Sequence, residues 1–173
     1  MNKLKIIIPA AATLVLTAFS VYKGVNWKVK DDYTVQVYQS GTKFITFRGL
    51  KAEIILDKEN AEKSKISATI DSDVITVEPN QALENAAESQ DVLDIKNFPV
   101  ISFESSSIRS YGDRYEAIGK LTIKNVTKEI KIQFTFENEI LKGDFNVNLP
   151  DFNINHHAFT KQLQIVLTIP VTK

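Results

Sequence analysis

Residues 115–136 read YEAIGKLTIKNVTKEIKIQFTF, and the pattern of this stretch decides the fold. In its second half Ile130, Ile132, Phe134 and Phe136 alternate with Lys131, Gln133, Thr135 and Glu137. A strand repeats every two residues, so the apolar set shares one face and the polar set the other. Residues 115–123 are a second β-prone run, and Lys124-Asn125-Val126-Thr127-Lys128 is short enough to reverse the chain. The spacing predicts an antiparallel hairpin with one dry and one wet side.

The same alternation recurs on both sides of the hairpin. Upstream it appears at Val35 and Val37, in Lys43–Arg48, and in Leu50–Asp57 with Ala52, Ile54 and Leu56 on one face. Ser64–Val77 is a long run in which Ile66, Ala68 and Ile70 share a face, and its restart at Ser72-Asp73-Val74 predicts a bulge or bend. A strand of that length fits a curved barrel wall better than a small flat sheet. Val100–Ser107 places Ile101 and Phe103 on one face. Downstream, Ile140–Leu149 carries Phe145 and Val147. Pro150–Thr160 reads as irregular, and Gln162–Ile169 carries Leu163, Ile165 and Leu167 before Pro170, where the strand is expected to stop. Residues 81–88, rich in helix formers, predict one short helix after Pro79. The sum is roughly eight to ten strands joined by short turns, an all-β antiparallel meander that hides its apolar face by closing into a barrel or folding into a sandwich.

Composition narrows the classes of function. The chain has 173 residues, zero formal net charge and no cysteine. Zero net charge without a long basic run gives no electrostatic reason to expect nucleic acid. Without cysteine there are no disulfides, thiolate metal sites or thiol nucleophile. Lys3 and Lys5 precede an apolar run from Ile6 to Phe19, and Ala18-Phe19-Ser20 offers small residues at the two positions a signal peptidase reads. Residues 1–20 are therefore expected to be a signal peptide, with an uncleaved membrane anchor as the alternative. Residues 21–26 read as a linker and 27–173 as one barrel domain, periplasmic or secreted, or held outside the cytoplasm by the anchor.

The residues that often carry chemistry do not assemble a reaction here. His156 and His157 are adjacent, so on an extended chain their rings diverge, and no spacing of carboxylates completes a metal site. Ser105-Ser106-Ser107 lacks the G-x-S-x-G elbow. Asp71 and Asp73 share a strand face near the expected bend and read as solvated charges. An enzyme acting on a lipid through Asp71, Asp73 or His156 is the least favoured alternative. No catalytic residue, metal or cofactor is assigned. Asn125-Val126-Thr127 fits a glycosylation pattern but is read as a turn.

Two motifs add a resemblance. LTIKNVTKEIKI (residues 121–132) is similar to the hairpin of the YceI-like, polyisoprenoid-binding family, with Asn125 where glycine is usual. DIKNFPVISFES (residues 94–105) resembles that family's D-x-x-x-(Y/F)-P-x-(I/V)-x-F-x-S segment. The resemblance implies an extended lipocalin-like barrel with an elongated pore and an isoprenoid-type lipid as partner, bound without catalysis. Membrane contact is then expected through the N-terminal segment or during lipid exchange. By parity the apolar bore is expected to comprise Ile66, Ile70, Ile101, Phe103, Ile130, Ile132, Phe134, Phe136, Phe145, Val147, Leu163, Ile165 and Leu167. Plain core packing is the competing reading of the same residues. Where many members carry R-D-x-H-L, this chain has Leu83-Glu84-Asn85-Ala86-Ala87, which favours a neutral quinone or polyprenyl tail over a strongly anionic head. The missing arginine and histidine also leave open an envelope interaction or stress-response module that uses the barrel only as scaffold.

Overall fold

The structure, a computed structural model, describes residues 24–72, 75–77 and 81–173. The N-terminal segment, Asp73 and Pro79 lie outside the described residues. Eleven strand segments follow one another: β1 (Val25–Val29), β2 (Thr34–Gln39), β3 (Thr42–Phe47), β4 (Leu50–Leu56), β5 (Lys65–Asp71), β6 (Ile75–Val77), β7 (Val100–Tyr111), β8 (Arg114–Ile123), β9 (Val126–Glu137), β10 (Ile140–Asn148) and β11 (Gln162–Thr172). Among the described residues one α-helix, α1 (Gln81–Glu88), lies between β6 and β7.

Register shows that three pairs of segments are halves of longer strands. Trp27 opposes Ile54 and Val35 opposes Phe47, so β1 with β2 and β3 with β4 make one interrupted hairpin. Ala52 opposes Ala68 and Ile45 opposes Val77, so β5 and β6 continue it. Eight antiparallel strands result, and the last returns to the first: β11 pairs with β2 through Gln164–Thr168 and with β1 at Val171 and Thr172. Closure leaves no long free edge among the described strands.

The last strand corrects one expectation. β11 runs through Pro170 to Thr172. In a strand the N–H and C=O of one residue point to the same side, and the Pro170 carbonyl accepts from the Lys30 N–H at 2.9 Å. The missing donor therefore faces the interruption between β1 and β2, where no ladder bond is required. Val171 resumes the ladder with its N–H on the Glu139 carbonyl at 2.8 Å.

The hairpin that reveals the fold turns more tightly than its sequence suggests. Ile123 pairs with Val126, so Lys124 and Asn125 alone reverse the chain, at φ +49° and +62°. Two left-handed residues match the twist of the flanking strands, and asparagine tolerates that conformation best after glycine. The β7–β8 ladder slips between Ser105 and Ser107, and on the other side of β7 the Ser105 hydroxyl accepts from the Ile66 N–H of β5 at 2.8 Å.

The barrel interior divides in two. One end, near β1 and the β9–β10 turn, is packed solid: Trp27, Ile108, Tyr115, Phe136 and Val171 are buried, and the Trp27 and Phe136 rings meet at a tilt with centroids 5.1 Å apart. At the other end α1 and its following turns lie over the opening, with Ala87, Val92 and Leu93 buried. The Leu93 N–H reaches back to the Ala87 carbonyl at 3.0 Å, and the buried Asp94 carboxylate accepts from the Asn97 amide at 3.0 Å.

Candidate functional site

Below α1 the barrel holds a partly open cavity of about 170 Å³. Among the described residues its lining is apolar apart from Ser102, and none of those lining it is charged. The strands supply two opposed patches. Leu50, Ala52, Ala68, Ile70 and Ile101 come from β4, β5 and β7, and Phe145, Ile165 and Leu167 from β10 and β11. These residues point inward yet are only partly buried. Inward apolar side chains that keep accessible surface border a void, because a packed core leaves none.

The thirteen residues expected in the bore do not all reach it. Ile66, Ile70, Ile101, Phe103, Ile132, Phe134, Phe145, Val147, Leu163, Ile165 and Leu167 line the cavity, whereas Ile130 and Phe136 do not. Phe136 lies in the packed end against Trp27. Ile130 has a different reason. The β9–β10 ladder stops at Gln133 and Asp144, so Ile130 sits where β9 has left β10, and the 3₁₀ turn Leu149–Phe152 packs against β9. Parity gives the face of a strand, not the length over which its neighbour follows.

Residues outside the alternating runs add to the lining: Ala87, Val92 and Leu93 from the α1 segment, and Ile154 and Phe159 from the loop after β10. Sequence periodicity misses them because they come from turns. The available signal was the presence of Val92-Leu93, Ile154 and Phe159 inside segments otherwise read as irregular.

Phe159 is held over the cavity by contacts from two directions. Gln39, at the β2–β3 turn, donates its amide to the Ala158 carbonyl at 3.4 Å and accepts from the Thr160 N–H at 3.0 Å. The Phe44 ring lies 5.8 Å from Phe159. From the loop itself, His156 Nδ1 accepts from the Ala158 N–H at 3.2 Å, and its ring lies 5.7 Å from Phe159. The two histidines stack at 4.5 Å instead of diverging, because the Phe159 N–H bonds the His156 carbonyl and closes a turn. Asp71 pairs with Lys51 at 3.5 Å. In the packed end, burial pushes the Tyr115 phenol above its ordinary range.

Fold and cavity define a class: an up-and-down antiparallel barrel of lipocalin-like build around a dry interior, closed at one end by a helical insertion. The model of the YceI-like domain matches residues 25–172, and the chain belongs to that family. It is 31% identical over 152 residues to the UPF0312 protein of Pseudomonas putida, covering 80% of this chain and 74% of that one. To the protein YceI of Salmonella arizonae it is 24% identical, covering 73% and 71%. Among solved structures it resembles Burkholderia cenocepacia BcnA with a TM-score of 0.71 and 20% identity, covering 85% and 96%. It also resembles a polyisoprenoid-binding domain from Saccharophagus degradans, with a TM-score of 0.57 and 7% identity, covering 83% and 95%.

Proposed function

We propose that the protein is a non-catalytic carrier that holds the tail of an isoprenoid-type lipid in the barrel. The observation that carries this reading is the apolar void in a chain of this family. An empty dry cavity loses the dispersion contacts its lining would otherwise make, and a hydrocarbon guest restores them. Each buried methylene contributes about 0.8 kcal/mol, so a five-carbon unit contributes up to roughly 4 kcal/mol before the losses of immobilisation.

The size of the cavity sets how the guest sits. At about 170 Å³ it is slightly larger than a void of about 150 Å³ that admits benzene. Without rearrangement it receives about one isoprene unit, the end of a tail. A longer chain enters as the α1 segment and the Phe159 loop move outward. Where many relatives carry arginine and histidine this chain has Leu83 and Ala86, and Ala87 faces the cavity. A neutral head, such as a quinone or an alcohol, suits that end. The basic and apolar N-terminal residues support a place outside the cytoplasm, with transfer to and from a membrane.

Organic extraction of the purified protein followed by mass spectrometry tests the reading. A long-chain isoprenoid at up to one equivalent is expected. Repeated absence of any long-chain lipid, together with failure to take up added farnesol, would overturn it.

A further inference from the structure

Gly119 faces the barrel interior from the middle of β8, opposite Ser105 on β7 and Ile130 on β9. Its backbone is ordinary strand, so conformation does not require glycine there; space does. A Cβ at this position would collide with the Glu104 carbonyl and stand 2.7 and 2.8 Å from two ring carbons of Phe103. Phe103 opposes Leu121, one diagonal step along the sheet, and lines the cavity. Its ring therefore lies along the wall in the notch that Gly119 leaves. Any side chain at 119 pushes on the Glu104 carbonyl of β7 as well as on the Phe103 ring, and the ring borders the cavity.

We propose that the Gly119 notch sets the calibre of the cavity, and through it the class of chain accepted, favouring a methyl-branched chain over a straight one. This rests on the cavity being the lipid site. Branch methyls need width more than length, and a methylene-sized change in a packed site is felt at once. A straight chain underfills a bore wide enough for branches and gains fewer contacts. An aromatic ring laid over a strand glycine also serves stability alone, so the test separates calibre from folding.

The experiment is competition of farnesol and 1-pentadecanol against N-phenyl-1-naphthylamine fluorescence in the purified protein. Wild type is expected to prefer farnesol. Gly119→Ala is expected to weaken farnesol about tenfold and pentadecanol less than threefold, and Phe103→Leu added to Gly119→Ala is expected to restore part of the farnesol affinity, the Glu104 carbonyl still being displaced. Should Gly119→Ala not fold, Phe103→Leu alone is expected to widen the bore and raise the farnesol preference, and Phe103→Trp to lower it. Equal affinity for the two alcohols in wild type, equal losses in Gly119→Ala, no rescue by the double variant, or an unchanged preference in Phe103→Leu overturns the proposal while leaving the carrier reading intact. Failure of both alcohols to bind wild type overturns both.

Discussion

The two ends of the barrel are built from the same strands by the same alternation, yet one is solid and the other hollow. At the solid end large side chains converge: Trp27 on β1 meets Phe136 on β9, and where this end borders the void Tyr115 on β8 stacks on Phe134 at 5.2 Å. At the hollow end Ala52 and Ala68 oppose one another across β4 and β5, Ala117 and Gly119 face inward from β8, and Phe103 lies along the wall. Strand count fixes the diameter of a closed barrel, so the sizes of the inward side chains decide whether the bore is filled. Here size is distributed along the axis. The solid end holds the barrel together, and the hollow end is free to receive a guest.

The largest effect that separates the two ends is on stability. Trp27→Ala is expected to cost about 3–5 kcal/mol in chemical denaturation, whereas Leu167→Ala, bordering a void already, is expected to cost about 2 kcal/mol or less. Similar losses at both sites would mean that the hollow end is packed as tightly as the other. A second contrast inverts the sign. Ile165→Trp fills the cavity and is expected to abolish uptake of N-phenyl-1-naphthylamine while stabilising the fold by about 0.5–1 kcal/mol; undiminished uptake would place the guest elsewhere.

Smaller effects concern the closure and the plug. Gln39→Ala removes both of its bonds to the Phe159 loop and is expected to lower stability by about 1 kcal/mol. Release of a bound probe, followed by stopped-flow fluorescence, should be about tenfold faster. An unchanged release rate would show that this loop is not the barrier. The smallest effect is alkaline. Burial raises the Tyr115 phenol above 10.0 in the folded protein. The unfolded phenol ionises first, so stability is fully present below about pH 10 and falls as pH rises from there through the raised folded value. The wild-type slope above pH 10 should exceed that of Tyr115→Phe by a fraction of a kcal/mol per pH unit, and identical slopes would remove the burial argument.

The contrast also explains what the sequence made legible. Alternation at Ile130–Phe136, Phe145–Val147 and Leu163–Leu167 identified the strands and their inward faces, and helix formers at 81–88 located α1. Period two is blind to where along the axis a residue sits, so Phe136 in the plug and Phe134 beside the void read alike. It is blind as well to where neighbouring strands part, which moved Ile130 out of the lining. The closure was hidden because Val92, Leu93, Ile154 and Phe159 belong to turns held by side-chain bonds such as those of Gln39, which connect residues more than a hundred positions apart. Pro170 shows the same limit: its tolerance depends on a gap between two other strand segments.

Diffraction from crystals held under xenon pressure tests the division of the interior most directly, because xenon enters dry voids and is visible without chemical modification. A xenon site is expected among Ile70, Ile101, Phe145 and Ile165, and none between Trp27 and Phe136. Ordered water or protein atoms filling the first position, with xenon absent from it, would contradict the hollow barrel on which the proposed carrier function rests.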